Sequence, residues 1–242
     1  MPYADAPVIL SPPLYTIDEI TSAPSDCRVR LQAIAEVTPL PIMDGPGICG
    51  GDDMVELKAV VLPDHARIPI VPAAMLRCPM AAALTDWLRD DAALRVSQLG
   101  AALRSVENYD SYECRGRNRV VGAKISEHGK GNAIDVRAFH LADGRRIELT
   151  DAKVDKPLRD ALRQEVCGRF TTVLGPGSDG YHEGHVHLDL AERRGGYRIC
   201  EWDVREPAAV VAATSADTEI AALNVPLPPP RPAALRAAQS KL

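Results

Sequence analysis

Apolar positions between residues 25 and 203 recur with two different periods, and the period names the element. Ser25-Asp26 can cap a helix carrying Val29, Leu31, Ile34 and Ala35. Val55 to Leu62 is rich in β-branched residues and reads as a strand. A second helix is expected from about Ala73, with Met75, Leu76, Met80, Leu84 and Leu88 at helical spacing. Residues 100–108 fit either state, since Leu103 and Val106 satisfy both periods. Asn132 to Leu141 alternates as a strand, and Ala142-Asp143-Gly144 turns it into Arg146-Ile147-Glu148-Leu149, a hairpin. Lys156 to Phe170 is an amphipathic helix, and His185 to Leu190 is a short strand after the Gly175-Pro176-Gly177 turn. Helices and hairpin strands in this mixed order predict an α+β fold with an antiparallel sheet.

The pattern fades at both ends. Residues 1–24 hold Ser11-Pro12-Pro13 and little periodicity, and 204–242 run through alanine-rich sequence into Pro226-Leu227-Pro228-Pro229-Pro230. Both are expected to be extended tails around one domain at 25–203, because proline cannot continue a helix.

Composition narrows the class. A hydrophobic fraction of 46% and a charged fraction of 25% are ordinary for a soluble globular protein. The net charge of −5, without a basic block, leaves no electrostatic footprint for nucleic acid. No apolar run approaches the roughly 20 residues of a membrane helix. Met1-Pro2-Tyr3-Ala4-Asp5 lacks the start of a secretion signal, which points to the cytosol. The cysteines point the other way. Cys27, Cys49, Cys78, Cys114, Cys167 and Cys200 are an even set, dispersed and without a Cys-x-x-Cys pair, which suits disulfides and an oxidising compartment.

Three of the six histidines, His182, His185 and His187, fall within six residues. On a strand, His185, His187 and Asp189 share one face while Val186, Leu188 and Leu190 enter the core. A fourth, His128, stands seven residues before Asp135, and Gly129 and Gly131 between them permit a backbone reversal. His128, Asp135 and one histidine of the 185/187 pair would supply three ligands, leaving the fourth tetrahedral position of a catalytic zinc open. The remaining histidine could then move protons.

These residues resemble a known pattern. Ser126-x-His128-x-x-Gly131-x-Ala133-x-Asp135 is similar to the first zinc motif of the D-alanyl-D-alanine carboxypeptidase/lysostaphin-type metallopeptidases, and His185-x-His187 resembles their second. The match extends to the bacterial extensin-like C-terminal domain family through Leu76-Arg77-Cys78-Pro79-Met80-Ala81, Ser111-Tyr112-Glu113-Cys114-Arg115, Phe170 to Gly177 and Arg198-Ile199-Cys200-Glu201. It covers about 27–201. The resemblance implies a small antiparallel sheet with flanking helices, zinc on His128, Asp135 and His187, and hydrolysis of peptide bonds in peptidoglycan in the periplasm or envelope of a Gram-negative bacterium. Carboxypeptidase-like relatives place a glutamate three residues before the last ligand, where this chain has Gly184; Glu183 is four before it. That departure favours an endopeptidase-like branch with His185 as base and His182 as assistant. Arg115, with Arg117 as competitor, would stabilise the oxyanion or bind a substrate carboxylate. Asp189 and Ser126 become supports for the ligands. The alternative is a non-catalytic envelope module that binds peptidoglycan or a partner protein.

Overall fold

The computed structural model describes residues 24–204, so the tails expected at 1–24 and 204–242 lie outside it except for Pro24 and Val204. Helix α1 (Asp26–Gln32) starts as anticipated, with the Ser25 hydroxyl accepting the Arg28 N–H at 3.1 Å. It ends before Ile34 and Ala35, which were expected to continue it. The Ile34 carbonyl accepts the Val61 N–H at 2.9 Å, and Ala35 opens strand β1 (Ala35–Pro39). A separate ribbon, β2 (Met43–Asp44) with β3 (Gly50–Gly51), precedes the hairpin of β4 (Met54–Val61) and β5 (Arg67–Arg77).

Strand β5 overturns the helix expected from Ala73. Residues Met75 and Leu76 pair across β4 with Glu56 and Val55, and Ala74, Leu76 and Cys78 are buried in alternation. Pairing on a half-built sheet overrides a spacing that also fits a helix. The helix α2 (Cys78–Trp87) begins only at Cys78, with Pro79 in its first turn, and still places Met80 and Leu84 in the core. A five-residue π turn, Leu88–Ala92, joins it to α3 (Ala93–Ser97).

Residues 100–108 resolve as strand: β6 spans Leu103–Asp110. Then follow β7 (Ala133–Leu141), β8 (Arg146–Glu148), α4 (Lys156–Arg169), β9 (Thr172–Leu174), β10 (Val186–Asp189) and β11 (Ile199–Glu201). The sheet runs β1-β4-β5-β6-β7-β10-β9-β11, with β8 also paired to β7. With nine strands it is not small, and it is not purely antiparallel. The pairs β5–β6 and β9–β11 are parallel, because long excursions rather than tight turns connect them. The α and β elements are otherwise mixed as the sequence pattern predicted.

Trp87, fully buried, closes the core between sheet and helices. Its ring meets Phe139 of β7 at 5.9 Å and Phe170, just after α4, edge-on at 6.4 Å. Such aromatic pairs add about 0.5–1.5 kcal/mol beyond the area they bury. All six cysteines are paired, as Cys27–Cys78, Cys49–Cys114 and Cys167–Cys200. No helix among the described residues is long and apolar enough to cross a membrane.

Candidate metal centre

The site is built on one pair of strands. Antiparallel register sets His187 of β10 directly opposite Asp135 of β7, and Leu188 opposite Ile134. Opposed side chains on one face stand about 5 Å apart at Cβ. The period of two therefore turns His187, Asp135 and Asp189 to one side and sends Val186, Leu188, Ile134 and Val136 into the core. Leu190, expected to join them, lies past the strand end and is only half-buried.

His128 arrives from a 3-10 turn, Glu127–Lys130. The Ser126 hydroxyl caps it by accepting the His128 N–H at 3.4 Å, and Gly131 ends it at φ +65°. A Cβ on Gly131 would lie 2.6 Å from the Met54 methyl carbon, so the turn can approach β4 only with glycine there. Lys130 and Asn132 both bond Glu127, at 2.5 and 2.7 Å, and hold the turn against the start of β7.

Three donor atoms meet. His128 Nε2 is 3.2 Å from Asp135 Oδ1, His187 Nδ1 is 2.9 Å from the same oxygen, and the two nitrogens are 3.1 Å apart. The residues are 1%, 3% and 6% exposed. The outer ring nitrogens fix the tautomers. His128 Nδ1–H donates to the Ser111 carbonyl at 2.5 Å, and His187 Nε2–H donates to Asp189 Oδ2 at 3.2 Å. His128 thus turns a lone pair inward, and His187 does so once the Nδ1 proton that Asp135 holds is displaced. Three acceptors this close repel unless a proton or a metal cation lies among them. Tetrahedral ligands about 2.0–2.1 Å from zinc are spaced by roughly 3.3 Å, close to what is found. Two imidazoles and a carboxylate fit zinc with one position left for solvent or substrate.

Without a metal, a proton fills that place. Burial works against the charge on His187, yet hydrogen bonds to Asp135 and Asp189 outweigh it and raise the imidazole to about 9. Burial likewise opposes the Asp135 anion, but the charge of His128 and its bond, then that of His187, hold the carboxyl well below the usual range. Protons and metal would compete for the same electron pairs.

His185, one residue before β10, has its Nε2 3.3 Å from Asp135 Oδ2 and its ring 5.0 Å from that of Tyr109. Burial pushes it below its ordinary value by more than the Asp135 charge raises it. The ring of His182 lies 5.2 Å from His185 and 5.5 Å from His187. All five residues, His128, Asp135, His182, His185 and His187, line a cleft of about 610 Å³, with Arg115, Arg117, Arg119 and Arg193 on its walls. Arg115 is fixed between Asp110 at 2.7 Å and Glu113 at 2.8 Å. Arg117 is exposed and has no side-chain partner among the described residues.

Sequence reasoning missed Asp179, which binds His182, and Tyr109, which stacks on His185. Asp179 was legible as an acidic residue three before a histidine in a glycine-flanked turn; Tyr109 carried no signal. A second cluster, Cys27, Asp53 and Cys78, offers no metal site because the two sulfurs are bonded to each other.

This is a disulfide-stapled mixed α/β domain with a buried two-histidine, one-carboxylate centre at the floor of an open cleft. The chain belongs to the extensin-like protein C-terminus family, whose model matches residues 25–201, from the cap of α1 to the last residue of β11. No curated protein and no solved structure matches it.

Proposed function

We propose that the chain is a zinc-dependent peptidase, related to the D-alanyl-D-alanine carboxypeptidase/lysostaphin-type enzymes, that hydrolyses peptide bonds of peptidoglycan in an oxidising compartment of the bacterial envelope. The observation that carries the reading is the set of three inward-facing acceptors on His128, Asp135 and His187, 2.9–3.2 Å apart and open to the cleft. Zinc, when bound, would polarise a carbonyl and lower the pKa of a water molecule to about 7. His182 and His185 stand beside the ligands where a proton must move. Arg115, the candidate for stabilising developing negative charge, is held in place by Asp110 and Glu113, which also offset its charge. The three disulfides support the envelope location.

Digestion of purified muropeptides by zinc-loaded protein, read by mass spectrometry with and without a chelator, tests the proposal. Expected are new amine and carboxyl termini that vanish on chelation. His187→Ala should lose zinc, and His185→Ala should keep it. Absence of products across stem peptides and cross-linked forms, with zinc present, would sink the peptidase reading; retention on sacculi without turnover would favour a binding module instead.

A further inference from the structure

Asp179 lies outside the metal ligands but reaches into the same cleft. Its Oδ1 accepts the Nδ1–H of His182 at 2.6 Å and the Tyr181 N–H at 3.0 Å, and its Oδ2 accepts the Asn118 amide at 3.2 Å. With the Ser178 hydroxyl, which also donates to Oδ1 at 3.4 Å, these bonds come from its own loop and from Asn118 and leave the carboxylate one orientation. His182 is 7% exposed, and its other nitrogen, Nε2, has no protein partner among the described residues. Since His182 lines the cleft, Nε2 is the atom left for a substrate. His185 is placed differently. Its Nε2 faces Asp135 Oδ2, and Asp135 would already share its charge with the metal. Asp179 is the carboxylate paired with His182, and it is not among the three candidate metal donors.

We propose that Asp179 is a positioning residue that fixes His182 with Nε2 toward the substrate, making His182 the group that carries the proton during peptide hydrolysis. The proposal rests on the peptidase reading above. In the step, water forms a bond from oxygen to the carbonyl carbon as the C=O π pair moves onto the carbonyl oxygen, which returns it when the C–N bond breaks, and water gives one proton to His182 Nε2. The resulting imidazolium is stabilised by Asp179. The C–N bond then breaks with its electron pair on nitrogen, and Nε2 returns the proton to that nitrogen. Peptide and water become a carboxylic acid and an amine, and His182 is restored.

Two readouts test it on the zinc-loaded protein. Nitrogen-15 NMR of the imidazoles should find His182 as the Nδ1–H tautomer, and Asp179→Asn should shift it toward a mixture. In muropeptide turnover, His182→Ala should lower kcat roughly 100-fold or more, with KM and zinc content little changed and part of the rate restored by added imidazole. Asp179→Asn should lower kcat about 10-fold or more with zinc intact. Asp179 is partly exposed at a turn, so its replacement spares the core. An unchanged His182 tautomer in Asp179→Asn, or wild-type kcat in His182→Ala while His185→Ala is inactive, would overturn the assignment. If the wild-type protein cleaves nothing, the peptidase reading fails and the proton-transfer role with it; the tautomer measurement still decides whether Asp179 holds His182.

Discussion

Replacing Asp189 with Asn should weaken zinc binding although Asp189 touches no metal. Asp189 is 4% exposed and accepts three bonds: Oδ1 takes the Ala191 N–H at 2.9 Å and the Thr171 hydroxyl at 3.4 Å, and Oδ2 takes His187 Nε2–H at 3.2 Å. An asparagine of the same shape can supply only one acceptor. The Ala191 backbone N–H cannot reverse, so the amide oxygen goes there and the NH2 turns toward His187. Two donors then face each other unless His187 moves its proton to Nδ1. That is the nitrogen 2.9 Å from Asp135 Oδ1, so the relaxed tautomer removes a metal ligand. Partners of this kind are worth about 10–100-fold in metal affinity, or about 1.4–2.7 kcal/mol. The forced amide orientation argues for the upper half. Competition titration against a chromophoric chelator at fixed pH measures it, with thermal unfolding of the metal-free protein as control. An Asn variant that binds zinc within twofold of wild type would show that Asp189 does not set the His187 tautomer.

Further consequences concern the frame. Gly131→Ala should destabilise the fold by about 1–2 kcal/mol for the left-handed backbone alone, more with the Met54 clash, and a lowered melting temperature with reduced zinc content checks it. Removing the Cys49–Cys114 bridge, a separation of 65 residues, should cost about 4 kcal/mol in the chain-entropy picture. It should also weaken zinc, because Gly129 of the His128 turn packs on Cys49 Sγ. Removing Cys167–Cys200 should lower the melting temperature and leave zinc affinity near wild type, which a parallel titration decides. Glu107 has its pKa lowered from 4.5; burial opposes this, and hydrogen bonds from Arg146 and His140 outweigh it. A depressed carboxyl stabilises above its ordinary value and loses that contribution as pH falls through the folded one. Glu107→Gln should therefore flatten stability between about pH 5 and 3, as urea unfolding across that range would reveal.

Local pattern carried the candidate donors and not their meeting. Period two in Val186 to Asp189 already separates His187 and Asp189 from Val186 and Leu188, and the Ser126 cap with Gly131 announces the tight turn that presents His128. What places His187 opposite Asp135 is the register of two strands 52 residues apart. A slip of one residue would flip every side chain of β10, and neither strand alone specifies the partner. The same physics explains β5. Residues 73–77 offer apolar positions that suit either period, and only the presence of β4 decides between them. The three-residue strands β9 and β11 are too short to show a period at all.

The staples and the site explain one another. His128, Asp135, His187 and Asp189 are nearly inaccessible to solvent, and burying such a set costs stability unless each group is paired or charge-matched. Two of the three bridges lie beside the His128 turn, and the third reaches the site only through two further strands. Cys49–Cys114 backs the His128 turn. Cys27–Cys78 secures the end of β5, where the Arg77 N–H reaches the Gly131 carbonyl at 2.7 Å. Cys167–Cys200 binds α4 to β11, which supports β9 and through it β10. A disulfide raises the free energy of the unfolded chain, so it offsets a polar site that the core cannot stabilise by packing. It also limits how far the donors can spread when no cation lies between them. On the zinc-peptidase reading, a centre braced with its donors 2.9–3.2 Å apart would be ordered in advance, and less of the binding energy of an ion would go into ordering the chain.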